Sequence, residues 1–357
     1  MMLISRYLLS HISRATVFAL LILASLFFFF DVLGELSDVG VKGYDLKTMF
    51  SVTALMLPGH LYELLPLAVL IGSISALSLL AGHSEYTVIR ASGVSLLRMV
   101  SILGGIGLLF AVLTFVTGEF LAPQAEQASE RLKLHATRSV VAQEFRSGLW
   151  VKDDNHFINI REMLPDNTLL GVRIYTYDKM HRLLETRYAE RGEYQTDGSW
   201  TLFDVQQTQL GDTKTQVQRF PSLRWESVLR PDILSVLLVV PEQMSAMNLT
   251  RYIEHLAANK QQTTRYEIAL WSKLFYPLAC LSMALVALGF IPLNQRQTSL
   301  GTRVFVGILI GLGFHLLNRL FSHLGLLYDW PAPAVTTIPT LLFLLGGAGL
   351  IYYRERR

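Results

Sequence analysis

Asp31, Glu63 and Arg319 are ionisable side chains set at the ends of, or inside, long apolar runs of a 357-residue chain. An ionisable group at a membrane boundary either marks a helix end or serves a ligand, because hydrocarbon solvates charge poorly. Taken singly, each of the three reads as a helix end. Taken together, they would form a polar vestibule at one depth of the bilayer. Arg131 and Lys133, just beyond a neighbouring apolar run, could add positive charge at that level. Such a ring could meet the phosphates of a lipid head group while an apolar cavity meets its chains. A solvated helix face is the competing reading for Arg131 and Lys133.

Self-contained catalysis has little to work with. No glycine-rich loop ending in Lys-Ser/Thr is present, so a P-loop cannot hold a nucleotide. The nine histidines are scattered without metal-ligand spacing, and Cys280 is the single cysteine, so neither a zinc site nor a disulfide framework is expected. No Gly-x-Ser-x-Gly elbow occurs. Cys280 lies in an apolar run and reads as a small filler. Asn248-Leu249-Thr250 matches a glycosylation sequon, a three-residue pattern that chance supplies often. The chain is expected to need neither metal nor cofactor, and not to be an enzyme by itself.

A second polar stretch, GHSEYTVIRASGVSLLR (Gly82–Arg98), separates the apolar runs Leu64–Ala81 and Met99–Gly118. Ser84 is placed to N-cap a two-turn helix, with Glu85 at the positive end of its dipole. Gly93 is placed to close it in a left-handed cap. Glu85, Val88 and Ile89 share the i, i+3, i+4 spacing of one face and are read as pointing outward. Two readings stay open at this point, a helix held by another protein and a connecting helix lying on the membrane surface.

The elements that must position these residues are set by a bilayer. The chain is 51% hydrophobic and 17% charged, with a mean hydropathy of +0.38. The net charge of +3 is small and its basic excess lies in short loops, which points to topology rather than nucleic-acid binding. Six spans are expected. Met1–Arg14 reads as an amphipathic lead-in on the membrane surface, followed by Ala15–Phe30 as span one. A cleaved signal peptide competes for that segment, but Asp31-Val32-Leu33 is no small-residue cleavage site. Span two lies within Phe50–Ala81. Pro58, Glu63 and Pro66 interrupt it, and its first part reads as a separate helix outside the hydrocarbon. Met99–Gly118 is uncharged over 20 residues, which at ~1.5 Å each matches a core of ~30 Å. Leu274–Ile291, Val304–Leu320 and Val335–Tyr353 complete the set, with Gly307, Gly311 and Gly313 letting another helix approach span five.

Arg6, Arg14, Arg90, Arg98, Arg296, Arg303, Arg354, Arg356 and Arg357 fall on one side, against Lys42 and Lys47 in the short loops of the other. Nine against two places both termini and the Gly82–Arg98 stretch in the cytoplasm. About 150 residues between spans three and four change character. Ala122–Arg138 is polar and helical in pattern. Leu149–Lys152, His156–Arg161, Val172–Tyr177, Leu183–Ala189 and Thr201–Val205 then read as strands, with turns at Asp153-Asp154-Asn155 and Asp197-Gly198. This predicts an antiparallel sandwich or roll facing away from the cytoplasm. Ile233–Val240 is too short to span and reads as a buried strand. Ser245–Ala258 reads as an amphipathic helix. The fold class is therefore a polytopic α-helical membrane protein of six transmembrane helices with an inserted all-β, jellyroll-like domain. Residues 1–120, 121–262 and 263–357 form its three parts.

Three spans, a β-domain and three more spans, with SEYTVIRASG (Ser84–Gly93), EFLAPQAEQ (Glu119–Gln127), GLWVKDDNHFINI (Gly148–Ile160) and RYEIALWSKLFYPL (Arg265–Leu278), resemble the LptF/LptG permeases of lipopolysaccharide export. The second and third blocks are more like the LptG branch. The resemblance covers essentially the whole chain and implies a permease subunit. That subunit would pair with an LptF-like paralogue over a dimer of the cytoplasmic ATPase LptB. It would hand lipopolysaccharide through a periplasmic jellyroll to LptC-like and LptA-like bridge proteins. It further implies that Ser84, Glu85, Tyr86, Val88, Ile89 and Arg90 form a coupling helix, with Glu85 at the family's acidic position. Spans one and five would line the cavity and gates, so Asp31, Glu63, Arg131, Lys133, His315, Asn318 and Arg319 become cavity or gate candidates. Some relatives carry lysine near the end of span one where Asp31 stands here. That departure shifts phosphate binding toward Arg319, Arg131 or Lys133. Two other classes compete. One is an ATPase-driven mechanotransmitter acting on lipoproteins or periplasmic enzymes. The other is an ion-driven secondary transporter, which would want midplane charges and repeated halves.

Overall fold

The apolar stretch that Pro58 and Pro66 interrupt folds as a single helix, α2 (Leu46–Gly82), in the computed structural model. The structure describes residues 2–40, 43–137, 148–153, 155–163, 168–178, 180, 182–195, 197–211, 215–227, 229, 241–258, 260–290 and 299–355. The expected break between an outer helix and a crossing is therefore absent. At ~1.5 Å per residue α2 is ~55 Å long and extends past the hydrocarbon instead. Each proline removes an N–H and frees a carbonyl, which membrane helices tolerate when neighbours compensate. Beside Pro66, Tyr276 reaches across to donate to the Glu63 carbonyl at 2.7 Å, a cross-helix bond to α2 rather than to the carbonyl the proline frees. Asp45 starts the helix by accepting from the Thr48 N–H at 2.8 Å and its hydroxyl at 2.6 Å.

The other helices pack around α2. α1 (Met2–Glu35) is also unbroken, so Met1–Arg14 is not a separate surface element. Leu8 and Ile12, one turn apart, are fully buried in the bundle, which is why that turn continues the span. After α3 (Glu85–Ala91), α4 (Leu96–Val116) runs through one π-helical turn, Thr117–Leu121, into α5 (Ala122–Thr137). α6 (Ala246–Ala258) matches the amphipathic reading. The fourth span is not straight. α7 (Thr264–Phe275) and α8 (Leu278–Gly289) meet at 51°, because Pro277 cannot donate to the carbonyl four residues back and its ring clashes there. α9 (Leu300–Tyr328) and α10 (Ala332–Glu355) follow. Five described helices are long and apolar enough to cross a bilayer, and the bent pair can supply a sixth crossing.

Close helix crossings rest on glycine. A Cβ at Gly72 would lie 2.4 Å from the Thr16 Cα of α1, and one at Gly107 would lie 2.7 Å from the Leu281 Cα of α8. Gly307 and Gly311 meet Ile74 and Leu67 of α2 as expected, whereas Gly313 faces open space. Cys280 is buried as expected, 3.2 Å from the Thr114 hydroxyl.

Among the described residues the inserted domain is one antiparallel sheet of six strands in sequence order, joined to nearest neighbours. They are β1 (Leu149–Asp153), β2 (His156–Met163), β3 (Leu169–Tyr177), β4 (Leu183–Tyr194), β5 (Trp200–Leu210) and β6 (Thr215–Trp225). Period-two alternation puts Leu149, Val151, Ile158, Ile160, Val172 and Ile174 on one buried face. Trp200 is buried with them and donates to the Leu229 carbonyl at 2.6 Å. The sequence reading missed β6, whose exposed, unalternating TQVQRFPSLRW carries Pro221, a residue tolerated on an edge strand. Ile233–Val240, Arg138, Asp154, Ile291 and Arg296 lie outside the described residues.

Asp197-Gly198 does make a hairpin turn, with Gly198 at φ +86°. The Ser199 hydroxyl (2.7 Å) and N–H (3.0 Å) donate to Asp197, with Arg224 at 3.2 Å, and they hold its carboxyl below the usual 3.8. A depressed folded pKa contributes stability above the unfolded value and loses it as pH falls through the folded one. Hydrogen-exchange protection at Ser199 should thus decline below pH about 4, and Asp197→Asn should abolish that dependence. An unchanged profile in Asp197→Asn would rule out this carboxylate as its source.

Candidate functional site

The short helix α3 is joined to α2 by two residues, and that tightness overrides its expected cap. Ser84 sits at φ 63°, in the left-handed region, and its hydroxyl makes no capping bond. Its backbone carries the turn instead, donating to the Ala81 carbonyl at 3.0 Å and accepting from the Val88 N–H at 3.1 Å. Gly93 closes the helix at φ +88° as expected. The outward face differs from the one read. Val88 is 65% exposed, but Ile89 is only 8% exposed and packs into the bundle core with Val94. Tyr86 packs partly against the same core. Thr87, Val88, Arg90 and Ala91 therefore face out, and Arg90 donates to the Val94 carbonyl at 3.1 Å. Glu85 is half-buried and accepts from the Tyr7 hydroxyl of α1 at 2.8 Å. One contact ties α3 to α1, and another seats it on the core.

At the opposite end of α2 lies a cavity of about 520 Å³ between α2, the π-turn with α5, α7 and α9. The walls follow helix periodicity. α7 contributes Arg265, Ile268, Ala269, Ser272, Lys273 and Tyr276; α9 contributes His315, Asn318, Arg319, Ser322, His323 and Leu326. Both sets run i, i+3, i+4, i+7, i+8, i+11, one face of a helix. α2 adds His60, Tyr62 and Glu63, and α5 adds Glu126. The Tyr62 and Tyr276 rings lie 5.1 Å apart in the wall. Arg265, Lys273 and Arg319 balance Glu63, Glu126 and Glu242, with three histidines among them.

Of the residues singled out from sequence, Glu63, His315, Asn318 and Arg319 come together here. Asp31 stands outside the lining and binds His60, whose Nε2 donates to its carboxylate at 2.6 Å. Lys133 does not join the lining. It forms ion pairs with Glu35 at 2.8 Å and Asp38 at 3.3 Å. Tyr44 donates to the same Glu35 at 2.8 Å, and burial with that bond pushes its phenol pKa up. Arg131 is exposed on α5, away from the cavity. The single ring at one depth is thus replaced by a cavity on four helices and a separate acid-rich cluster at the end of α1. Sequence reasoning missed His60, Tyr62, Glu126, Arg265, Lys273, Tyr276 and His323. Their repeating polar spacing in RYEIALWSKLFY and HLLNRLFSHL was the available signal.

Such a cavity can bind an amphiphile, with forked guanidinium donors for phosphate and tyrosine rings for apolar groups. Among the described residues no cluster of His, Cys, Asp or Glu is suited to a metal ion. A family model described as lipopolysaccharide export system permease LptF/LptG matches residues 6–353. The chain belongs to this family. The lipopolysaccharide export system permease protein LptG of Haemophilus influenzae is 29% identical over 343 residues, 96% of each chain. LptG of Escherichia coli K12 is 30% identical over 344 residues, again 96% of each. Apolar crossings and LptF/LptG membership make this an inner-membrane protein of the transport-subunit type. Its polytopic helices and inserted β-domain are the fold expected from sequence.

Proposed function

We propose that this permease subunit extracts lipopolysaccharide from the inner membrane and delivers it to its β-domain, driven by an ATPase docked on α3. The observation that carries the reading is the tie between α3 and the bundle. Tyr7–Glu85 joins α3 to the start of α1, and Ile89 seats it on the core. A push on Thr87, Val88, Arg90 and Ala91 is thereby passed to α1 and to the bundle core, which includes α2, whose other half lines the cavity. Ser84 and Tyr86 help set that helix's angle. On this reading both termini are cytoplasmic and the β-domain periplasmic. The parts 1–120 and 263–357 form the moving bundle, and 121–262 forms the receiving domain. The partners are an LptB-like ATPase dimer, an LptF-like paralogue, and LptC-like and LptA-like bridge proteins. Arg319 and Arg265 hold phosphates, Glu63, His315 and Asn318 shape the cavity, and Asp31 orients His60. Arg131 offers charge at the exit, while Lys133 locks α5 to α1.

A photo-crosslinker at His315 or Asn318 in the assembled complex should capture lipopolysaccharide, and ATP should lower the yield. Capture of phospholipid alone, or of nothing, would favour the mechanotransmission reading. Arg319→Glu should cut the captured fraction about tenfold or more, the effect of losing one charge-assisted bond. Basal nucleotide hydrolysis should stay, since Arg319 is remote from α3 in the sequence and the fold.

A further inference from the structure

The segment returning from the β-domain enters the membrane bundle at Met244–Met247 and is held there from two sides. Ser245 caps α6, its hydroxyl accepting from the Asn248 N–H at 3.2 Å. The Ala246 and Met247 N–H groups, which have no acceptor within the helix, donate instead to Glu119, at 2.7 Å to one carboxylate oxygen and 3.4 Å to the other. Glu119 lies in the π-turn, 127 residues earlier in the chain than Ala246. A π-turn admits one extra residue and so re-aims the side chains around it. Immediately beside it, Gly118 abuts Tyr62, where a Cβ would lie 2.5 Å from the ring.

On the other side stands Lys273, only 5% exposed. Its ammonium donates to the Met244 carbonyl and lies 6.0 Å from the Tyr62 ring centre. A buried ammonium is retained at a desolvation cost, which makes it a poor choice for simple packing. Lys273 also sits four residues before Pro277, at the start of the 51° bend. Four parts of the fold therefore meet here: the third span at its π-turn, α2 through Tyr62, the bent fourth span, and the stalk from the β-domain.

We infer that Glu119 and Lys273 are positioning residues for lipid transfer, a joint that fixes the β-domain stalk to the bundle so that span movement re-aims the β-domain. This rests on the permease reading above. Glu119 lies outside the cavity lining, whereas Lys273 is part of it. The joint fixes Met244–Met247 to the bundle, the point from which the chain runs back to the β-domain.

The test uses the complete complex with Glu119→Gln, Lys273→Met, and both together, in vesicles containing lipopolysaccharide. Three quantities are read: nucleotide hydrolysis, lipopolysaccharide arriving on a photo-crosslinker placed in β2, and hydrogen exchange at Ala246 and Met247. Glu119→Gln, outside the cavity lining, should lower β-domain arrival about tenfold while hydrolysis stays within about twofold; Lys273→Met should lower arrival as well, and exchange at those two amides should rise in both. The double variant should be no worse than the poorer single, because both residues serve one link. Lys273→Arg should recover arrival. If a variant fails to assemble, Glu119→Asp, which keeps the charge and shortens the reach, carries the same readouts. Normal arrival despite freed amides would overturn the joint. So would arrival and hydrolysis falling together with thermal stability, which is the signature of a merely structural support. Failure of the unaltered complex to deliver lipopolysaccharide at all would instead count against the permease reading.

Discussion

Glu85→Lys should leave the bundle folded and abolish productive coupling. The change removes the acceptor of the Tyr7 hydroxyl and sets a cation on the first turn of α3. Placing positive charge at that helix end costs ~0.3–1 kcal/mol, and the lost bond costs about as much again. Those sums are small against a core spread over α1, α2, α4 and α8. At a docking surface the same charge reversal weighs more. Losing one member of a desolvated charge pair costs ~2–5 kcal/mol, so ATPase assembly and lipid release should fall at least ~30-fold. Tyr7→Phe separates the two effects. It breaks the α1 tie and leaves the carboxylate for the partner, so assembly should persist while release slows. Normal assembly and release by Glu85→Lys complexes would end the assignment of α3.

Gly72→Val should be the most damaging single change in the membrane core. The added Cβ meets the Thr16 Cα at 2.4 Å and its backbone nitrogen at 2.5 Å. Backbone cannot swing aside as a side chain can, so the two helices must part by roughly an ångström along their crossing. Overpacking of this kind costs ~3 kcal/mol or more, because every contact along the seam lengthens with it. α1 has much to lose, since its opposite face is exposed and α2 is its principal neighbour. The expected readouts are a sharply lower thermal midpoint in detergent and low yield. Gly313→Ala, with nothing within 4 Å of the new Cβ, should match the native protein. A Gly72→Val midpoint within ~2 °C of native would mean that the crossing is looser than described.

Hairpin turns and spans were legible for a shared reason. Hydrocarbon forces each crossing to satisfy its own backbone, so length and apolarity are written locally. Asp197-Gly198 likewise carries its turn in two residues. Legibility failed where a neighbour decided the outcome. Ile89 turned inward because the bundle core accepts it. Ser84 gave up its cap because the α2–α3 connection is short. The Pro66 stretch stayed helical inside a buried run of α2 packed on all sides, while Pro277 bent its span.

The amino-acid order alone determined the membrane class, the inserted β-domain, the polar helix between spans two and three, and the absence of catalytic motifs. Which charges share a cavity was decided only by tertiary structure. Glu35 and Lys133 lie 98 residues apart, and Glu119 and Ala246 lie 127 apart. Their meeting depends on the rotation and depth of separate helices. Hydropathy fixes where a helix enters hydrocarbon, but its rotation is set by the glycine crossings and side-chain contacts of its neighbours.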